Sequence, residues 1–299
     1  MTELQVRVFG KLQLQVGQCR VDTFPTRRAE ELLIYLLIHQ KTQHSREKLV
    51  DTIWPEAGLS NGRASLSTAL WRLRTVFDRL EVSPADYLQT TRDWISLEPA
   101  SPLKCDFVAF EEQLKAAERT TDERHRQRSY QAAIEHYSGP FCEGIYTDWC
   151  LRERERLERL YLRAQGQLMA GFIRQRHYLE AIATGQAILE NDPLREEVHR
   201  ALMRCYWKMG RRAAAARQFQ RCARLLQQEL QILPMPETIA LYGRIVEERQ
   251  EELGLAAPVP FDLELRTAYS NFLDATEQLN AVLEAAETAQ VEPSLFAGD

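Results

Sequence analysis

No run of about 18 apolar residues occurs anywhere in this 299-residue chain, so nothing in it reads as a transmembrane helix. The first thirty residues lack the basic start and continuous apolar core of a secretory signal. The six cysteines, at 19, 105, 142, 150, 205 and 222, contain no CxxC pair. That spacing argues against a metal site and predicts reduced thiols in a cytoplasmic protein with no membrane association. Catalytic signatures are missing too. There is no GxxxxGK[ST] phosphate loop, no GxSxG, no HExxH and no Gly-rich dinucleotide loop. The six histidines (39, 44, 125, 136, 177, 199) fall on helical stretches or near their ends. Glu196-Glu197 and Glu247-Glu248 read as solvated helix charges rather than acid–base pairs. The expectation is a protein that is not an enzyme, with no cofactor and no metal.

A basic excess is also missing overall, because the net charge is −5. Its distribution is uneven. Residues 251–299 hold ten acidic side chains and one basic one, Arg266, which leaves the first 250 residues at +4. That mild excess is compatible with phosphate binding but does not by itself define a nucleic-acid binder.

What the chain does contain is most legible at residues 192–216. Asp192-Pro193 is a helix-start signal. Val198, Leu202, Cys205, Tyr206 and Met209 then recur at the spacing of one buried helical face, and Gly210-Arg211 marks a tight turn. Self-comparison finds Gln167-Leu168-Met169 and Ala201-Leu202-Met203 34 residues apart, and Ala181-Ile182 and Ala215-Ala216 at the same offset. A 34-residue period is that of the tetratricopeptide (TPR) repeat, a stack of helix–turn–helix units. The alternative is an irregular helical bundle.

The first hundred residues have a different texture. Leu4 to Phe9, Leu12 to Val16 and Cys19 to Val21 alternate and are separated by Gly10-Lys11 and Gly17-Gln18, which predicts an antiparallel meander. Pro25-Thr26 opens a helix with Ala29, Leu32, Leu33, Leu36 and Leu37 inward. Ser45 to Lys48 starts a short second helix that Pro55 ends. A third helix is predicted from about Ser60 to Leu80, with Leu66, Leu70, Leu73 and Phe77 on one stripe. Its opposite side carries Asn61, Ser65, Thr68, Arg72 and Thr75, with Trp71 and Arg74 on the flanks. Short polar side chains plus arginine suit a major groove, where Asn and Arg pair with base edges and Ser and Thr reach bases or phosphates. A solvated helix face is the competing reading. Tyr87 to Leu97 reads as a hairpin with its turn near Arg92-Asp93. Strands, three helices and a closing hairpin make a winged helix whose wing carries Arg92.

Residues 4–97 resemble the OmpR-type winged-helix DNA-binding domain, with Leu70-Trp71-Arg72-Leu73-Arg74 as its recognition-helix core. Residues 103–250 resemble the bacterial transcriptional activator domain, a TPR-like helical module. The matching stretches are Asp106 to Phe110, Trp149 with Arg154, Asp192 to Glu196, Ala201-Leu202-Met203, Gly210-Arg211, and Glu237-Thr238 with Leu241-Tyr242. The two modules in this order resemble the SARP-like bacterial transcriptional activators. Thr23 to Arg28 departs from the basic, Gly-rich connection often seen there; its Arg27 and Arg28 read equally as phosphate contacts or solvated charges.

The resemblance implies an α+β winged helix over 1–100, an all-α TPR-like domain over 103–253, and a linker with an acidic amphipathic helix over 254–299. It implies a sequence-specific transcriptional regulator. Its partners would be double-stranded DNA, RNA polymerase and a second copy of the chain paired on direct repeats. The DNA-contacting candidates are Asn61, Arg63, Ser65, Thr68, Trp71, Arg72, Arg74, Thr75 and Arg92. The alternative is a TPR scaffold whose winged helix contacts protein.

Overall fold

The computed structural model describes residues 3–253; the expected acidic helix at 254–299 lies outside the described residues. The chain divides between Cys205 and Tyr206 into two compact units.

The first unit begins with the expected meander, β1 (Leu4–Arg7), β2 (Gln13–Val16) and β3 (Cys19–Val21). Leu4, Val6, Leu14 and Val16 face the core, while Gln5 and Arg7 face out. Three helices follow: α1 (Arg27–Ile38), α2 (Arg46–Ile53) and α3 (Gly58–Arg79). A two-residue strand, β4 (His44–Ser45), precedes α2. After a short 3-10 turn at Pro84–Asp86 comes the hairpin of β5 (Leu88–Thr90) and β6 (Trp94–Leu97), and these strands pair in the order β4-β6-β5. This is a winged helix. Its helices meet over Leu32, Leu36, Leu49, Ile53, Leu66, Leu70, Leu73 and Phe77, all buried, and Phe77 stacks on Tyr87 at 5.5 Å between ring centroids. Gly62 of α3 faces Val50 of α2 so closely that no Cβ fits between them.

The N-terminal sheet is completed from further along the chain. β7 (Leu103–Cys105) pairs parallel with β1, giving the order β3-β2-β1-β7. This strand was not foreseen from sequence. It leads directly into α4 (Asp106–Arg119), which is followed by α5 (Glu123–His136), α6 (Asp148–Arg174), α7 (Tyr178–Asn191) and α8 (Glu196–Lys208). One apolar core runs without a break from Leu4 in β1 to Leu168 in α6.

Backbone pairing adds to that continuity. Cys142 N–H donates to the Val8 carbonyl at 2.7 Å, Gly10 N–H to Pro140 at 2.8 Å and Glu143 N–H to Gly10 at 2.8 Å. Arg154 fixes the same loop, donating to the carbonyls of Phe141 (2.7 Å), Cys142 (2.7 Å) and Ile145 (2.9 Å).

The second unit contains α9 (Arg212–Glu229) and α10 (Pro236–Leu253), with Phe219 stacked on Tyr242 at 4.2 Å. The 34-residue period has a physical counterpart at the helix ends. At the end of α6, Arg176 N–H donates to Ile173 and His177 N–H to Phe172; after α8, Gly210 N–H donates to Trp207 and Arg211 N–H to Tyr206. Both ends are Schellman caps, and the left-handed residue is Arg176 (φ 60°) in one and Gly210 (φ 72°) in the other. Ala181 and Ala215, also one period apart, are fully buried. The Asp192-Pro193 start signal is displaced: α8 begins at Glu196, and Asp192 accepts the Leu194 N–H at 3.3 Å in the turn before it.

Candidate nucleic-acid interface

Among its described side chains, α3 places seven positions toward the core: Gly62, Leu66, Ala69, Leu70, Leu73, Val76 and Phe77. The side facing away is Ala64, Ser67, Thr68, Trp71, Arg74 and Asp78, all exposed. Trp71 is 63% exposed and presents its ring to solvent. Asn61 and Arg63 are exposed on the first turns. Ser65, Arg72 and Thr75 lie half-buried along the edge of this strip. Counting Gly62, Ala69 and Val76 as inward residues, beside the four large ones, turns the outward face toward Ser67 and Trp71. Small residues carry a weak burial signal, so the leucine–phenylalanine stripe alone does not reveal this.

Three hydroxyls of the helix bond back to their own chain. Ser67 donates to the Arg63 carbonyl, Thr68 to Ala64 and Thr75 to Trp71, each at 3.0 Å. Such i−4 bonds occupy the hydroxyl proton and leave the oxygen lone pairs available to accept. The side chains of Arg72 and Asn61 form no hydrogen bond with a described residue.

The wing rises beside this strip. Thr91 organises its tip, accepting the Trp94 N–H on its hydroxyl at 3.0 Å and donating its own N–H to the Trp94 carbonyl at 2.9 Å. Arg92 is exposed at the turn. Arg74 reaches across from α3 and donates to the Thr90 hydroxyl at 3.0 Å. Arg46, at the start of α2, donates to the Thr91 carbonyl at 2.9 and 3.2 Å, and its backbone N–H donates to Asp93 at 3.0 Å. Ser45 caps α2 by accepting the Lys48 N–H at 3.2 Å. Arg63 pairs with Glu47 at 2.7 Å, with both side chains exposed.

Between these elements lies a groove of about 520 Å³ lined by Arg46, Arg63, Ser67, Arg92 and Trp94 among others. Arg46, Ser67 and Trp94 were not singled out from sequence. The two-residue β4 that seats Arg46 against the wing is too short to show a period.

Arg27 and Arg28, in contrast, are engaged elsewhere. Both bond the buried Glu31, at 3.2 and 2.7 Å. Among the described residues no cluster of three or more His, Cys, Asp or Glu side chains is arranged to hold a metal, and no helix is long and apolar enough to cross a membrane.

A polar strip on the third helix beside a stapled wing, followed by paired helices with a 34-residue period, defines a class: a winged helix joined to a TPR-like module. Residues 105–246 match the bacterial transcriptional activator domain. The regulatory protein AfsR of Streptomyces griseus is 27% identical over 249 residues, covering 82% of this chain and 24% of the relative. AfsR of Streptomyces coelicolor is 25% identical over 234 residues, covering 77% and 23%. The chain thus spans about a quarter of the length of these curated relatives. Among solved structures, EmbR of Mycobacterium tuberculosis, in complex with a low-affinity phosphopeptide, shares the fold with a TM-score of 0.67 and 20% identity, over 93% of this chain and 72% of that one. Within the class, residues 105–246 match the bacterial transcriptional activator domain, and most of the chain is similar to these regulatory proteins.

Proposed function

We propose that the chain binds promoter DNA sequence-specifically, with α3 in the major groove and the wing on the flanking backbone. The observation that carries this reading is the outward strip of Ser67, Thr68, Trp71 and Arg74, bordered by Arg63, Arg72 and Arg92 and open to solvent. A helix of this width fits a major groove, and its donors match base edges and phosphates. Arg72, without a hydrogen-bond partner among the described residues, reads a base edge; Asn61, Ser65, Thr68 and Thr75 supply shorter contacts. Arg92 and Arg63 neutralise phosphate. Trp71 packs against the sugar–phosphate rim.

The helical module then contacts RNA polymerase or a second copy of the chain. Two copies on direct repeats multiply two modest affinities through effective concentration. The protein works in the cytoplasm, without an enzymatic activity of its own.

Fluorescence anisotropy on random duplex DNA across a salt series tests phosphate binding. The expected result is a log–log slope steep enough to report several released counterions. A gel shift on a cognate promoter tests base reading. Binding of the Arg72→Ala protein equal to that of the native one removes Arg72 from the site.

One observation favours a second reading. Trp71 and Trp94, 63% and 48% exposed, are large rings of the kind that anchor protein interfaces. If the anisotropy shows no salt-dependent DNA binding, a TPR scaffold whose winged helix contacts protein replaces the proposal.

A further inference from the structure

Residues 198–228 contain eight basic side chains and not one acidic one. Half of that charge, Arg212, Arg217, Arg221 and Arg224, lies on α9. Its buried face is Ala215, Phe219, Cys222 and Leu226, spaced 4, 3 and 4. Arg217, Arg221, Arg224 and Gln228 repeat the same spacing on the exposed side, so the three guanidinium groups line one stripe. Arg211, also exposed, stands just before the helix. None of these four arginines forms an ion pair with a described residue. Three like charges at i, i+4 and i+7 repel one another and contribute nothing to the helix by themselves. Such a stripe is explained by an anionic ligand.

We infer that the stripe holds the chain's own acidic C-terminal segment, residues 254–299. Charge complementarity comes first: that segment carries eight acidic side chains against Arg266 alone. The acids are also concentrated: Asp274, Glu277, Glu284 and Glu287 fall within fourteen residues that contain no basic side chain. Connectivity supplies the third argument. α9 and α10 are 18 residues each, are joined by six residues, and pack through Phe219 on Tyr242. α10 therefore runs back along α9 and delivers Leu253 to the Arg212 end of the stripe. The 46 residues that follow can run the length of α9, about 27 Å. A segment held by charge is released by any stronger polyanion, so the stripe acts as a switchable dock.

Arg266 is the only basic residue after position 250, so trypsin has one target in the segment. The experiment follows release of fragment 267–299 from the full chain by mass spectrometry, with a free peptide of residues 258–275 as internal standard. At about 20 mM salt, where charges interact over roughly 20–30 Å, release is slow relative to the standard. It becomes about tenfold faster at about 0.5 M salt, where screening confines them to a few ångström. The same acceleration is expected for Arg217→Gln/Arg221→Gln/Arg224→Gln. It is also expected for Asp274→Asn/Glu277→Gln/Glu284→Gln/Glu287→Gln, which leaves α9 untouched should the first variant fold poorly. Release at one rate in all proteins and salts overturns the inference, and an acidic partner or nucleic acid then becomes the occupant. Protection that disappears on dilution overturns it as well, since the segment would be reaching a second copy.

Discussion

The carboxylate of Asp106 accepts the backbone N–H of Val8 through both oxygens, each at 3.0 Å. The same group takes the Phe9 N–H at 3.1 Å and the Phe107 N–H at 2.8 Å, so one side chain at the start of α4 ends β1. Burial raises the carboxyl above its usual range, and the three amide donors pull in the opposite direction. Removing it leaves the amides of Val8 and Phe9, just after the first strand, without an acceptor. Asp106→Ala is expected to destabilise the chain by about 2–4 kcal/mol, and Asp106→Asn by less because one oxygen remains. Urea unfolding followed by tryptophan fluorescence measures both. An Asp106→Ala midpoint equal to the native one would show that solvent replaces the carboxylate.

A second expectation concerns the close approach of α2 and α3. A Cβ at Gly62 would run into the Val50 side chain, and a β-branched residue in a helix has almost no rotamer freedom to yield. Gly62→Ala should therefore cost about 1–3 kcal/mol despite the better helix propensity of alanine. Val50→Ala in the same background should recover part of that loss. Thermal unfolding of the single and double variants checks it, and equal melting temperatures for Gly62→Ala and the native protein would refute the overlap.

Much of this architecture was legible in the sequence. Strong periodicity carried it. The three-strand meander, the four-residue spacing in α3 and the 34-residue offset from Leu168 to Leu202 all come from large apolar residues at fixed intervals. What stayed hidden has no local period. β7 pairs with β1 across about a hundred residues, and only its partner makes it a strand. Asp106 was matched as part of a family motif, yet its bond to Val8 depends on the same long-range pairing. On α3 the outward face was misaligned by a fraction of a turn because Gly62, Ala69 and Val76 also point inward. Arg74 was placed on the flank, but nothing in the sequence told that it staples the wing.

The two Schellman caps make a matched pair for a third test. Arg176 occupies the left-handed position that Gly210 occupies one repeat later. A side chain there costs on the order of 1 kcal/mol, and glycine does not pay it. Arg176→Gly is expected to raise the stability of the first unit by up to about 1 kcal/mol, and Gly210→Ala to lower that of the second by about 1–2 kcal/mol. Hydrogen exchange at the amides of His177 and Arg211, which close the caps, reports each change locally. Faster exchange at His177 in Arg176→Gly would contradict the argument.

Acid should weaken the first unit through His39 and His44. Their rings lie 5.4 Å apart and both flank Tyr35, which in turn meets Trp149 of α6 edge-on at 5.6 Å. Both side chains are held below the ordinary histidine value of 6.5, chiefly by burial. Lys48 adds repulsion at both sites, His39 adds to it at His44, and Glu153 partly offsets it at His39. The unfolded chain then binds protons that the folded chain refuses. Stability is fullest above about pH 6.5 and falls as pH drops toward the lowered folded values. The raised carboxyls of Glu30 and Asp106 work the other way, and only in the more acidic carboxylate range. Melting temperatures between about pH 7 and 5.5 should decline for the native protein. His39→Phe/His44→Phe should flatten the decline, and an unchanged slope in that variant would assign the acid sensitivity elsewhere.

Three arginines of α3 and the wing should fail in three different ways if α3 lies in a major groove. The Arg72 side chain has no hydrogen-bond partner among the described residues, so Arg72→Ala is expected to cost about 1–3 kcal/mol on a cognate site and little on random duplex. Arg92 is exposed at the turn, and Arg92→Ala should weaken cognate and random DNA alike while lowering the salt slope by about one. Arg74 does two jobs, because its guanidinium also donates to the Thr90 hydroxyl. Arg74→Ala should therefore reduce affinity and loosen the wing together, and Thr90→Val should reproduce the second effect without removing a charge. Anisotropy across a salt series separates slope from specificity, and amide exchange at Trp94 reports the wing. If Arg72→Ala and Arg92→Ala change the salt slope equally and spare the preference for the cognate site, α3 contributes charge alone and does not read bases.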